Sequence, residues 1–243
     1  MGGTATPAQI IAAVGALADP ARAAGTSRFF KTGPGEYGEG DEFVGVSVPQ
    51  LRKVAKRFRG AADAETIRVL LASSVHEHRL LALFLLRAQF DRADDDAARA
   101  DWVAVYRDAL SGGRVNNWDL VDASADPILG EWLYRRGDRQ TLVNMAADED
   151  LWTRRAAVVA TFAFLKHGDP EATRAVVASV LSDRRDLIQK AAGWMLREMG
   201  KRTDRALLTD FLEVHAAEMG RTALSYAIEH LDADARAHYR SLR

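Results

Sequence analysis

The sequence predicts an all-α protein, a right-handed α-solenoid of HEAT-like helix pairs, on three observations. Apolar residues recur at helical spacing over nearly the whole chain after Val48. Turn residues cut that pattern into helix-sized pieces: Gly112 with Gly113, Gly137 with Asp138, Gly168 to Pro170, Gly200 and Gly220. The pieces pair, and the pairs repeat. Arg79, Asn117, Arg155 and Lys190 each open the apolar part of a second helix, at spacings of 38, 38 and 35 residues. That period belongs to helical solenoids, in which one helix of each pair lines a concave face. A helical bundle without repeats is the alternative.

Taken in order, residues 7–24 read as a first helix, with Ile10, Ile11, Val14 and Leu17 as its apolar stripe. The stretch from Arg28 to Val46 cannot be a continuous helix, because glycines and Pro34 interrupt it throughout. Its core, residues 33–46, is expected to be an ordered loop or a short hairpin. Pro49 suits a first helical position. Helices are then expected at 49–58, 64–73, 77–90, 95–111, 117–124 with 127–135, 139–146 and 150–167. Four more follow at 170–181, 185–200, 204–219 and 221–231, with a last one at 234–241. This makes about six pairs in a single domain over 1–243, because no composition break marks a linker.

Composition narrows the function classes. Hydrophobic residues at 48% and charged residues at 28% are ordinary for a globular chain. The absence of cysteine excludes disulfides and Cys-ligated zinc or iron–sulfur sites, which suits a reducing cytoplasm. No apolar run reaches the ~20 residues of a membrane span, and the first ten residues do not read as a signal peptide. A net charge of -1 gives no help to a nucleic-acid reading, so such a reading must rest on how charge is distributed.

Chemistry concentrates in Asn116, Asn117, Trp118, Asp119, Leu120, Val121 and Asp122. Trp118 and Asp122 stand four apart, so a helix puts ring and carboxylate on one face. Two later helices carry comparable residues: Arg154 and Arg155 after Trp152, and Trp194 followed by Arg197. The expectation is that Trp118, Asp122, Arg155 and Trp194 share one concave surface. A single Trp–Asp pair would more simply be a buried ring and a helix-capping carboxylate; related repeat positions favour the functional reading. Arginine is the natural phosphate reader, and tryptophan offers a face to cations and sugars. Arg154, Arg155, Arg184, Arg185, Lys190, Arg197, Lys201 and Arg202 cluster in or beside the later inner helices, though an ordinary mixed surface gives the same pattern.

Other motifs carry less. Gly33, Gly35 and Gly38 match a dinucleotide fingerprint formally, but no strand precedes them and Glu36, Glu39 and Asp41 would repel a pyrophosphate. His76 and His78 lack the four-residue spacing of a helical zinc site, so His76, Glu77 and His78 read as a solvated helix start. Asp91 and Asp94 to Asp96 lack the glycine and glutamate of a calcium loop. No metal or cofactor is expected.

At these residues the chain resembles the DNA alkylation repair family of AlkD-like, HEAT-repeat DNA glycosylases. The resemblance runs from about Arg28 to about Leu231. It is strongest in FFKTGPGEYGEGDEFVGVSVPQLRKVAK, NNWDLVD, LWTRRAA and IQKAAGWMLRE. It implies removal of cationic N3- or N7-alkylated purines from duplex DNA, by a monomer that grips the backbone and leaves the base stacked. It implies Asp122 as the catalytic carboxylate and Trp118 and Trp194 as rings against the deoxyribose. It implies Arg155 as a phosphate contact, with Phe29 where the family has a tyrosine. Arg154, Lys190 and Arg197 are expected to help bind DNA, and Lys31 and Tyr37 to lie near it. The alternatives are a DNA-binding relative without base excision and a protein-binding scaffold.

Overall fold

The computed structural model describes residues 4–242. These residues are helical almost throughout, with no strand among them; a single isolated bridge joins Glu42 to Val75. Among them fifteen α-helices run in chain order, and a π-helical segment stands at Ala125–Gly130. The chain falls into two compact units, Met1–Ser124 and Ala125–Arg243.

In the first unit the helices are α1 (Pro7–Gly15), α2 (Pro20–Phe29), α3 (Val48–Phe58), α4 (Ala64–Leu71), α5 (His76–Arg92), α6 (Asp96–Ser111) and α7 (Trp118–Ser124). The expected single helix over 7–24 is two. Asp19 adopts extended backbone and its carboxylate accepts from Ala21 and Arg22 N–H at 3.1 Å, while Pro20 takes the first helical position. Pro20, inside the expected 7–24 span, is the sequence signal for that break. Helix α2 also runs on through Phe29, within the stretch expected to be non-helical. Helix α5 is the spine: α3 and α7 pack beside it, and α4 and α6 cover it. Its Leu80, Leu81, Leu83, Leu85 and Leu86 are buried, each contributing about 1.5–3 kcal/mol.

The segment at 33–46 is an ordered loop, not a hairpin. Turns bonded as Glu36 N–H to Gly33 and Asp41 N–H to Gly38 carry it to the Glu42 bridge. Gly45 has φ 77°, and a Cβ there would stand 2.1 Å from the Asp19 carbonyl oxygen, so the backbone crosses the start of α2 where no side chain fits.

The second unit follows its π-helical segment with α8 (Glu131–Arg135), α9 (Gln140–Ala146), α10 (Leu151–Lys166), α11 (Glu171–Ser179), α12 (Asp186–Arg202), α13 (Arg205–His215), α14 (Arg221–Ala227) and α15 (Ala233–Ser241). Helices α10, α12 and α14 lie side by side as one layer. Helices α9, α11 and α13 form the other layer, against α10 and α12. Stacked helix pairs are therefore the architecture, as the repeat spacing predicts. Acidic residues cap helix starts: Asp95 accepts from Ala98 N–H at 2.8 Å and Asp150 from Thr153 N–H at 2.7 Å. Gly193 brings α12 close to α14, since a Cβ there would meet the Ala223 carbonyl oxygen at 2.2 Å. Among the described residues no helix is long and apolar enough to cross a membrane.

Candidate functional site

Trp118 and Asp122 stand half-buried on α7, one turn apart. Asn117, wholly buried, accepts the Trp118 backbone N–H at 2.8 Å, satisfying one of the donors that a helix start leaves open. The Trp118 ring stacks on Phe30 with centroids 5.3 Å apart and planes at 18°. Phe29 meets Trp118 edge-on at 5.9 Å and is itself 67% exposed, so a large apolar ring beside the tryptophan remains open to a ligand. The first unit thus brings Phe29 and Trp118 together. Lys31 follows, exposed and in the left-handed region at φ 52°. Tyr37 is half-buried in the loop.

The aromatic stack continues inward. Phe30 lies against Phe43 at 5.4 Å and against His76 at 4.9 Å, and Phe43 stacks on His76 at 4.9 Å. The expectation of a solvated helix start at His76, Glu77 and His78 is overturned, because all three are buried along with Arg79. The glycine-rich loop folds over this end of α5, and each polar side chain finds a partner there. Glu77 accepts from Gly45 N–H at 2.7 Å, and from Val44 and Val46 N–H at 3.2 and 3.3 Å. His78 Nδ1 lies 2.9 Å from the Ser73 hydroxyl.

His76 joins two elements. Its Nε2 is 2.8 Å from Asp119 of α7, and its Nδ1 is 3.4 Å from Asp41 of the loop. Arg79 pairs with the same Asp41 oxygen at 2.6 Å. Burial works against a charged imidazole, but hydrogen bonds to Asp119 and Asp41 outweigh it and hold the His76 pKa above its ordinary value. Burial likewise raises Asp41, yet His76 and Arg79 together hold its carboxyl below the usual range. Sequence reasoning missed His76, Asp41, Asp119, Phe30 and Phe43. One signal was there: four polar residues, His76 to Arg79, run directly into seven apolar ones, Leu80 to Leu86.

In the second unit, Lys190, Trp194 and Arg197 lie along one face of α12, and Trp194 is half-buried with Phe162 of α10 at 6.2 Å. Arg154 and Arg155 are on α10. Arg155 is buried and its guanidinium donates to the Leu187 carbonyl. Arg154 reaches Asp183 at 2.7 Å, and Arg185 reaches the same carboxylate at 2.6 Å. Burial raises Asp183, but the bonds from Arg185 and Arg154 hold it down at about 2. Lys190 pairs with Asp186 at 2.8 Å, and Arg197 with Glu229. Much of the expected basic cluster is therefore matched by carboxylates, so a phosphate would compete with them. Arg184 and Lys201 stay exposed. Among the described residues no group of three or more His, Asp or Glu could hold a metal ion.

Three comparisons bear on this arrangement. The model of a family described as DNA alkylation repair enzyme matches residues 10–231. No curated protein matches the chain. Among solved structures, a predicted DNA alkylation repair enzyme from Enterococcus faecalis is similar at a TM-score of 0.67 and 16% identity, over 89% of this chain and 97% of that one. AlkD2 from Streptococcus mutans is similar at a TM-score of 0.55 and 21% identity, over 77% of this chain and 91% of that one. At such identities the structures share the fold; the family match carries the rest.

Proposed function

The chain belongs to the DNA alkylation repair enzyme family, and from that premise we propose that it is a DNA glycosylase for cationic N3- and N7-alkylated purines in duplex DNA. The observation that carries the proposal is α7: a half-buried tryptophan, braced by Phe30, with a carboxylate one turn further on and the open ring of Phe29 beside it. An indole face and a fixed carboxylate are what a sugar acquiring positive charge would need.

In the proposed reaction the bond between C1′ and N9 of the alkylated purine breaks. Its electron pair leaves with the base, which departs neutral. The deoxyribose becomes an oxocarbenium ion, water adds its oxygen to C1′, and the water proton passes to solvent. Asp122 stabilises the positive charge and orients the water. Trp118 supplies cation–π stabilisation of about 0.5–2 kcal/mol; Trp194 is assigned the same role. Arg154, Arg155, Lys190 and Arg197 are assigned to the DNA backbone, with Lys31 and Tyr37 near it. The protein would work as a monomer, without metal or cofactor, in the cytoplasm.

The test is base release from duplex carrying N7-methylguanine, by wild type and Asp122→Asn together. The expected outcome is release by wild type and a loss of roughly 100- to 1000-fold in the variant. Equal rates make Asp122 a structural residue. No release by either, with DNA still bound, puts the chain with binding proteins that do not excise bases.

A further inference from the structure

We propose that His76 is a positioning residue for α7, tying Asp119 to Asp41 of the glycine-rich loop so that Trp118 is held against Phe30 and Asp122 is presented at a set angle. The proposal rests on the glycosylase reading only for what α7 does; the positioning itself is independent of it.

The geometry is that of a strut. His76 opens α5, the spine of the first unit, and is 2% exposed. One ring nitrogen faces α7 and the other faces the loop. Its ring also packs against Phe30 and Phe43, with centroids both at 4.9 Å. Phe30 in turn carries the Trp118 ring. One imidazole thus braces Trp118 twice, through the aromatic stack and through the residue next to it in the chain. A residue that only filled space would need neither carboxylate.

The charge state matters to this role. An imidazolium donates from both nitrogens, whereas neutral imidazole donates from one and turns a lone pair on the other carboxylate. The charged groups around the ring are Asp119 from α7, Asp41 from the loop, and Glu77, His78 and Arg79 from α5 itself. Glu77 is committed to loop N–H groups, His78 to Ser73, and Arg79 to Asp41. Protonated His76 therefore satisfies both of its neighbours, and loss of the proton releases one of them. The loop at 33–46 gains a function: it supplies the far anchor of the strut and the Phe43 ring.

The experiment reads Trp118 directly. Emission of the full-length protein is compared with that of Trp118→Phe, so that the other four of the chain's five tryptophans subtract out. The difference spectrum is followed across pH for wild type, His76→Gln and Asp41→Asn. The wild-type spectrum is expected to show one proton transition, above the ordinary histidine range. Asp41→Asn should move it to lower pH, and His76→Gln should abolish it. In parallel, single-turnover base release should fall by up to about a hundredfold in His76→Gln, the scale of a small misplacement, with DNA affinity unchanged. Should His76→Gln melt below the assay temperature, Asp119→Asn tests the same bond from the other side and must also change the transition. A Trp118 signal that titrates identically in wild type and His76→Gln overturns the proposal. Absence of base release in wild type would instead sink the glycosylase reading, while the fluorescence still decides the role of His76.

Discussion

Asp41 and His76 titrate in opposite senses, and together they define a pH window. His76 has a folded pKa above 6.5, so its stabilising contribution is fully present below 6.5 and is lost as pH rises through the folded value. Asp41 has a folded pKa below 3.8, so its contribution is present above 3.8 and is lost as pH falls through the folded value. Melting curves of wild type and His76→Gln should differ most between those limits, and the gap should narrow in alkaline solution. A gap that widens with rising pH would contradict the assignment. Asp183 behaves like Asp41: held at about 2, its contribution is present above 3.8 and fades toward pH 2. Asp183→Asn should therefore lower the melting temperature at neutral pH and match wild type near pH 2.

Helix α2 and the loop after it meet at Gly45, and this contact is steric. A methyl group there would collide with the Asp19 carbonyl oxygen and, at 2.7 Å, with the Ala23 backbone nitrogen. Neither is the end of a flexible side chain, so the loop must lift. Gly45→Ala should cost at least about 1–3 kcal/mol in denaturant unfolding. It should also disturb Trp118 emission, because the Glu77 bond to the Gly45 N–H goes with it. An unchanged midpoint would mean that the loop shifts freely. Helix α10 gives a second prediction. Arg155 is buried and bonds a main-chain carbonyl, so Arg155→Ala should lose about 1.5–3 kcal/mol of stability, the scale of a hydrogen bond from a charged group. Loss of DNA affinity in that variant is then interpretable only beside its melting curve.

For the whole molecule the question is how a chain of net charge -1 would bind a polyanion. Distribution must answer it, since Arg154, Arg185, Lys190 and Arg197 already face carboxylates. Each phosphate neutralised should add about -0.9 to the slope of log affinity against log salt. Replacing exposed Arg184 and Lys201 by alanine should weaken binding to damaged and undamaged duplex alike and leave the melting temperature unchanged. The salt slope should become shallower by about 0.9 for each phosphate that the variant no longer neutralises. Salt-independent affinity between low and physiological ionic strength would count against DNA as the partner.

What the sequence determined by itself was whatever local periodicity encodes. Apolar spacing and turn residues specify the helices after Val48 to within a few residues, whereas the break before Pro20 within the expected 7–24 helix was not read. The Trp118 and Asp122 pair was legible, since four residues on a helix is one turn. Tertiary structure alone decided the partners. His76 lies thirty-five residues from Asp41 and forty-three from Asp119, and nothing in a local pattern says that a loop will fold over the start of α5 and bury four polar side chains. It also decided which cations are spent, since Asp183, in the connection before α12, captures Arg154 of α10. Charge counted along a chain does not reveal pairing, because an ion pair depends on distance in space, and that distance is set by how the helices pack.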